Sequence, residues 1–307
     1  MQTATPRPIE WPTLAMLVLT YAVWMAGTSV WQVSGGLALV LTILAIVQFA
    51  SLQHEVLHGH PFAMQRLNEA LVFPSLLLVV PYGRFRDTHL QHHHDPSLTD
   101  PYDDPESNYM DPAVWAKMPR PIQLLLRANN TLLGRIFLGP AVSTYYFVKA
   151  DLAAALAGDR DIALAWALNA VGVALVAIWL WLVGDMPVLA YIAAAYMAYG
   201  VLKIRTFLEH RAHASHCART VVVEDRGPLA LLFLNNNLHV VHHMSPNTPW
   251  YQLPALYAAK RAHYLNRNDG YVYRNYAQIF RSHLLRAKDP VPHPVWPMTR
   301  DGSPDQG

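Results

Sequence analysis

Three short stretches of this 307-residue chain carry imidazoles at spacings that could hold metal. They are His54-Glu-Val-Leu-His58, His89-Leu-Gln-His92-His93 and His239-Val-Val-His242-His243. Side chains at i, i+3 and i+4 share one helix face, so each stretch can aim two or three rings at one point. Eight histidines are too many for one ion, and two ions are the economical reading. Neutral imidazole suits zinc, copper, iron and nickel about equally, so the spacing argues for a dinuclear site and only weakly for an element.

Taken alone, the first stretch has another reading. His-Glu-x-x-His is also the signature of a zinc hydrolase with Glu55 as general base. The other two stretches have no place in that chemistry, and Glu55 is then an acceptor for an imidazole N–H. Asp100, Asp103, Asp104 and Glu106 are most simply a solvated loop; otherwise one or two orient ligand histidines. Asn235, Asn236 and Asn237 stand just before His239, where a polar helix face or hydrogen bonds to the rings would account for them. His60 and His94 break the helical faces and read as surface residues; His216, His263, His283 and His293 read as structural.

The elements that must position these residues are apolar. The chain is 53% hydrophobic and 14% charged, against a usual charged share of about 25%. That balance suits a protein immersed in lipid. A single cysteine, Cys217, excludes a disulfide framework and an iron–sulfur cluster held by this chain. Net charge is +2 without a basic, aromatic-laced stripe, so nucleic acid is not an expected partner.

Uncharged runs extend from Trp11 to about Trp31 and from Leu37 to Leu52, joined by Ser34-Gly35-Gly36. A second pair runs from Ile162 to Val183 and from Val188 to Leu202 around Gly184-Asp185-Met186-Pro187. Each pair reads as a transmembrane hairpin. Trp24, Trp31, Trp179 and Trp181 read as interfacial or lipid-facing anchors. Leu71 to Pro81 is too short to span and carries two prolines, which predicts an interfacial or re-entrant helix. Pro119 to Lys149 mixes arginines with apolar residues, as a helix lying in the headgroups would. Pro228 suits the first turn of a helix carrying the third histidine stretch, and the tail after Asp289 reads as irregular.

Charge sets the topology. Of 23 Lys and Arg, one precedes the first hairpin, nine lie between the hairpins and thirteen follow the second. Positive residues mark the cytoplasmic side, so both termini and all three histidine stretches fall there. The expectation is one all-α integral membrane domain over 1–307. It has four transmembrane helices in two hairpins (about 11–53 and 162–203), a cytosolic helical cap (about 54–161 and 204–288) holding a dinuclear metal site, and a tail over 289–307.

With its three histidine boxes, the chain resembles the membrane fatty acid desaturase and hydroxylase superfamily. The stretch from Ser245 to Pro254 also looks like the continuation of the third box in desaturases and carotenoid ketolases. The resemblance implies a cytosolic di-iron centre that uses O2 to attack an unactivated C–H bond of a lipid. It implies a ninth histidine just beyond the fourth span: His210 matches by position and His213, one turn on, competes. Some members carry an asparagine where Thr206 stands. The implied metal set is His54, His58, His89, His92, His93, His210, His239, His242 and His243, with two iron ions as cofactor. Fatty acyl desaturation is the activity it favours, with hydroxylation or ketolation of a carotenoid, alkane or acyl chain as the alternative. No haem, flavin or nicotinamide motif is present in the sequence, so the electrons have to come from a ferredoxin or a cytochrome with its reductase.

Overall fold

The computed structural model describes residues 9–296. Fifteen helices are formed among them: α1 Trp11–Thr28, α2 Gly35–Leu57, α3 Gln65–Leu71, α4 Tyr82–His92, α5 Pro112–Lys117, α6 Arg120–Asn129, α7 Leu132–Phe137, α8 Gly139–Leu156, α9 Arg160–Leu182, α10 Val188–Thr206, α11 Pro228–Leu232, α12 His239–Met244, α13 Leu253–Ala259, α14 Arg261–Arg267 and α15 Tyr276–His283. One two-residue pair, β1 (Val222–Val223) and β2 (Val272–Tyr273), runs parallel with Val222 opposite Val272. The helices α1, α2, α9 and α10 are long and apolar enough to cross a membrane.

The two short turns sit together. Asp185, between α9 and α10, accepts from the backbone N–H of Trp31 at 2.8 Å and of Gln32 at 3.0 Å. In return the Asp185 N–H donates to the Thr28 carbonyl at 2.9 Å. With their starts tied at one end, α2 and α10 both run to the opposite end, where the histidines lie. Packing follows the sequence in the first pair, where α1 lies along α2, but not in the second. α10 packs mainly on α2 and α7, whereas α9 lies against α4 and α8.

The segment 72–80 accounts for part of this arrangement. The expected short helix is absent there; α3 ends at Leu71 and the chain continues as turns, with Leu78 at φ 71°. Proline at 74 and 81 prevents a continuous helix. Val72, Ser75, Leu76 and Leu77 are buried, and the long helices around the segment supply donors to its carbonyls. Tyr21 of α1 donates to the Leu71 carbonyl at 2.7 Å, Tyr191 of α10 to Leu76 at 2.9 Å, and Asn169 of α9 to Leu78 at 2.9 Å. Gly172 of α9 lets the chain approach: a Cβ there would stand 2.7 Å from the Phe73 carbonyl. Irregular backbone in apolar surroundings survives only where protein satisfies it, and this segment meets that condition.

Trp24 also departs from expectation. It is buried, donating to the Tyr191 hydroxyl at 3.1 Å and packing on Trp179, so it belongs to the interior and not to a lipid-facing belt. Trp181 is 84% exposed in a span-length helix, as an anchor would be. The tail is irregular over its described part, yet Val291 and His293 are buried, and His293 N–H donates to the Met110 carbonyl at 2.8 Å. The remainder of the expected tail, 297–307, lies outside the described residues.

Candidate metal centre

The first two histidine stretches each end a helix. His54 occupies the last turn of α2 and His58 caps it; His89 and His92 lie in the last turn of α4, with His93 as its cap. The third stretch lies on the six-residue α12. It does not lie on the helix that Pro228 opens. That helix stops at Leu232, and Leu234 and Asn235 at positive φ turn the chain before α12 begins. There Asn235, in the left-handed region, donates its amide to the Trp250 carbonyl at 3.1 Å.

The rings gather into two sets. His54, His58, His89, His93 and His242 form one, and His92, His210, His239 and His243 the other; within each, one nitrogen per ring lies within 4.8 Å of all the rest. Nε2 atoms approach one another edge to edge. His93 stands 3.0 Å from His89 and 3.1 Å from His242; His210 stands 2.9 Å from His92 and 3.1 Å from His239. One ring proton cannot satisfy several such contacts, whereas one cation can. For metal–nitrogen bonds of about 2.1 Å, adjacent ligands at right angles lie about 3.0 Å apart. Nε2 of His54 and of His58 are also buried without a hydrogen-bond partner. The donor set therefore fits two metal ions.

The far nitrogens are held by other partners. His89 Nδ1 lies 2.9 Å from Glu106, His92 Nδ1 2.8 Å from Asp104 and His239 Nδ1 3.1 Å from the Asn236 amide oxygen. Such contacts fix ring orientation and leave Nε2 facing inward. The acidic loop is thus not simply solvated. Asp104 is buried and accepts from the N–H of Thr99 and Glu106, while Asp100 accepts from Tyr102 and Asp103 to build the turn. Only Asp103 of the four acids is exposed. Of the three asparagines, Asn236 touches a ring of the sets; Asn237 donates to the Val223 carbonyl at 2.6 Å.

His210 and His213 part company. α10 ends at Thr206, and His210 sits on an extended segment bridged to Thr220 instead of continuing the helix. Its ring enters the four-histidine set, and Lys288 donates to its carbonyl. His213 points away, with Nε2 3.6 Å from Asp269 and Nδ1 accepting from the Ser215 N–H.

Charge follows from burial. Desolvation, reinforced by neighbouring imidazoles, holds His58 down at about 2 and His210, His239 and His242 well below the usual histidine range. These rings stay neutral, the form that binds metal. At His92 burial acts the same way, but Glu106 and Asp104 outweigh it and raise the group to about 9.

Two residues lie where their spacing did not place them. His60 is buried, its Nδ1 2.6 Å from Glu10. Glu55 is buried too, accepting the Trp250 N–H at 3.0 Å and standing 3.9 Å from His54 Nδ1. A carboxylate held that way is poorly placed to serve as the general base of a hydrolase.

No curated protein matches the chain. A sequence model of the family described as fatty acid desaturase matches residues 29–275, most of its length. The match runs through all three histidine boxes and His210. The chain belongs to the fatty acid desaturase family.

Proposed function

We propose that this protein is a membrane-bound, O2-dependent di-iron oxidase of lipids, and specifically a fatty acyl desaturase. The observation that carries the proposal is the convergence of nine imidazoles into two adjoining sets. His54, His58, His89, His93 and His242 hold one iron, and His92, His210, His239 and His243 the other. Iron bound there supplies the oxidation of an unactivated C–H bond by dioxygen. The balance is a –CH2–CH2– unit, O2, two electrons and two protons giving –CH=CH– and two waters. The protein holds the rings: Glu106, Asp104 and Asn236 fix three of them through Nδ1. The electrons come from a ferredoxin or a cytochrome with its reductase.

The whole chain acts as one domain, with α1–α2 and α9–α10 crossing the membrane. The remaining helices form a cytosolic cap and both termini lie in the cytoplasm. The charge asymmetry of the sequence and the tie between the two short turns support this orientation. A cysteine at Gly35 is then labelled from outside the cell and tags at Asn108 and the C-terminus are not.

Iron analysis together with lipid mass spectrometry of expressing cells tests the function. Close to two irons per chain and lipids lighter by two hydrogens are expected. Gain of oxygen would reassign the enzyme as a hydroxylase or ketolase; one zinc with hydrolysis would end the di-iron reading.

A further inference from the structure

The segment that carries His210 has one edge paired with backbone and one edge without a strand. His210 stands opposite Thr220 in an antiparallel bridge. On that edge the Arg211 N–H donates to the Arg219 carbonyl at 2.8 Å, and the Val221 N–H to the Glu209 carbonyl at 3.0 Å. Backbone groups of successive residues in an extended segment point to opposite edges, so the His210 carbonyl and the Ala212 N–H face away from Thr220. No strand lies along that far edge among the described residues. Two side chains take its place. Lys288 Nζ donates to the His210 carbonyl, and the Tyr109 hydroxyl accepts the Ala212 N–H at 2.8 Å.

Both groups are themselves held. The Tyr109 hydroxyl gives its own proton to Asp289, which leaves an oxygen lone pair for Ala212. Asp289 also stands 3.3 Å from Lys288 Nζ, and the Lys288 side chain is only 11% exposed. Lysine is seldom buried that far without partners, and here the partners converge on the His210 segment. The chain around them is anchored in turn. Asn130 donates its amide to the Asp289 carbonyl at 2.5 Å, and the Met110 N–H donates to the Val291 carbonyl at 3.0 Å. Residues 288–293 therefore fasten His210 directly. They also hold residues 109 and 110, which follow Asp104, the partner of His92, in the same loop. His92 and His210 are two of the four rings in the smaller set. The fastening segment lies past residue 275, where the family match ends.

We propose that Lys288 is a positioning residue for the ninth imidazole: with Tyr109 it fills the far edge of residues 209–212 and so sets the metal affinity of the four-histidine set. The inference rests on the reading of the nine imidazoles as a two-metal centre. It rests on neither iron, dioxygen nor a lipid substrate, and no bond is made or broken in it.

The test titrates metal-free, full-length protein in a non-ionic detergent with cobalt(II). The wild type should take up two equivalents. Lys288→Met removes the donors and keeps an unbranched side chain; it should retain one equivalent and bind the other about 10- to 100-fold more weakly. Lys288→Arg, which keeps a charged donor, should recover part of the loss. In a His210→Ala background Lys288→Met should add little, because the two act through the same ring. Tyr191→Phe serves as the control for stability alone. It removes two buried hydrogen bonds at the opposite end of α10, and should lower the melting temperature while both equivalents stay bound. Parallel weakening of both equivalents in a folded Lys288→Met, or unchanged affinity for both, overturns the proposal.

Amide hydrogen exchange of the metal-free protein is a second readout. The N–H groups of residues 209–213 should exchange at least about 10-fold faster in Lys288→Met, the ratio that loss of a hydrogen bond to a charged group gives. In Tyr109→Phe, whose lost bond is neutral, the gain should be about threefold or more. The N–H groups of α12, which carries three other rings, should not change. Tyr109→Phe decides the matter if Lys288→Met does not fold. Fewer than two equivalents in the wild type would end the two-metal reading, and exchange at 209–213 would still report on Lys288. Exchange there unchanged in the folded variants overturns the proposal at any metal content.

Discussion

The two histidine sets differ in number and in support. Five rings converge in one, all from the ends of α2, α4 and α12. Four converge in the other, and one of these, His210, comes from an extended segment whose carbonyl is held by Lys288 far along the chain. Five imidazoles would nearly fill the shell of a six-coordinate ion, whereas four would leave room for two further ligands. The difference teaches where small molecules can enter and which half depends on distant chain.

The largest expected effect breaks the weaker set outright. His210→Ala reduces it to three rings, and iron should fall from about two per chain to about one, with activity down at least about 100-fold. Even changes beyond the ligands cost 10- to 100-fold. His54→Ala leaves four rings in its set and should retain more metal than His210→Ala. Metal analysis at matched expression compares them, and the reverse order would refute the contrast in support.

A smaller effect comes from the groups behind the rings. Asp104 is 2% exposed and faces His92 at 2.8 Å; Glu106 faces His89 at 2.9 Å but is 29% exposed. Asp104→Asn should weaken metal retention about 10-fold or more against a graded chelator, and Glu106→Gln by less, since water can replace part of its contact. Equal losses would mean that burial does not set the strength of this support.

Acid should reach both sets. In metal-free protein His58, His210, His239 and His242 stay neutral far below the value of about 6.5 that they take when unfolded. The unfolded chain then binds more protons below that pH, so stability is full above it and declines as pH falls. Each such ring costs up to about 1.4 kcal/mol at pH 5.5. His92 has the opposite sign: its contribution is present below about 6.5 and is lost as pH rises through about 9. With these four rings and His93, which burial and its neighbouring imidazoles also hold far below the usual range, against one, the metal-free melting temperature should drop by about 5–10 °C or more between pH 7.5 and 5.5. Bound metal, which competes with the same protons, should flatten that slope until it is released. A metal-free protein equally stable at both pH values would show that these rings are not buried neutral.

Much of this was legible in the chain because it depends on local period. The expected spans differ from α1, α2, α9 and α10 by a few residues at their ends, since the length of an uncharged run is itself a local property of the sequence. The i, i+3, i+4 spacing announced which rings share a face. What could not be read depended on partners far away in sequence. Asp104 looked like loop because its partner His92 is reached only through the fold of residues 95–104, and His60 looked like surface because Glu10 lies fifty positions earlier. The helix over 71–81 failed for a similar reason: donors from Tyr21, Tyr191 and Asn169 sustain a non-helical backbone that no local signal reveals. His210 lay between these cases. The family pattern pointed to it, but not to the break in α10 that removes it from a helix.

That break is what makes the smallest prediction sharp. On a continuous helix His210 and His213 would share a face, and either could serve the four-histidine set. The extended segment instead sends His210 to His92 and His239 at 2.9 and 3.1 Å and leaves His213 beside Asp269, which is 73% exposed. A pair that open to solvent contributes little, about 0–1 kcal/mol at most for its class. His213→Ala should therefore keep iron content and product formation within about twofold of wild type, and its melting temperature within about 2 °C. Iron per chain and turnover, measured beside His210→Ala, decide the matter. Loss of one iron in His213→Ala, with His210→Ala intact, would mean that the helix continues past Thr206 and that the four-ring set is closed by the other histidine.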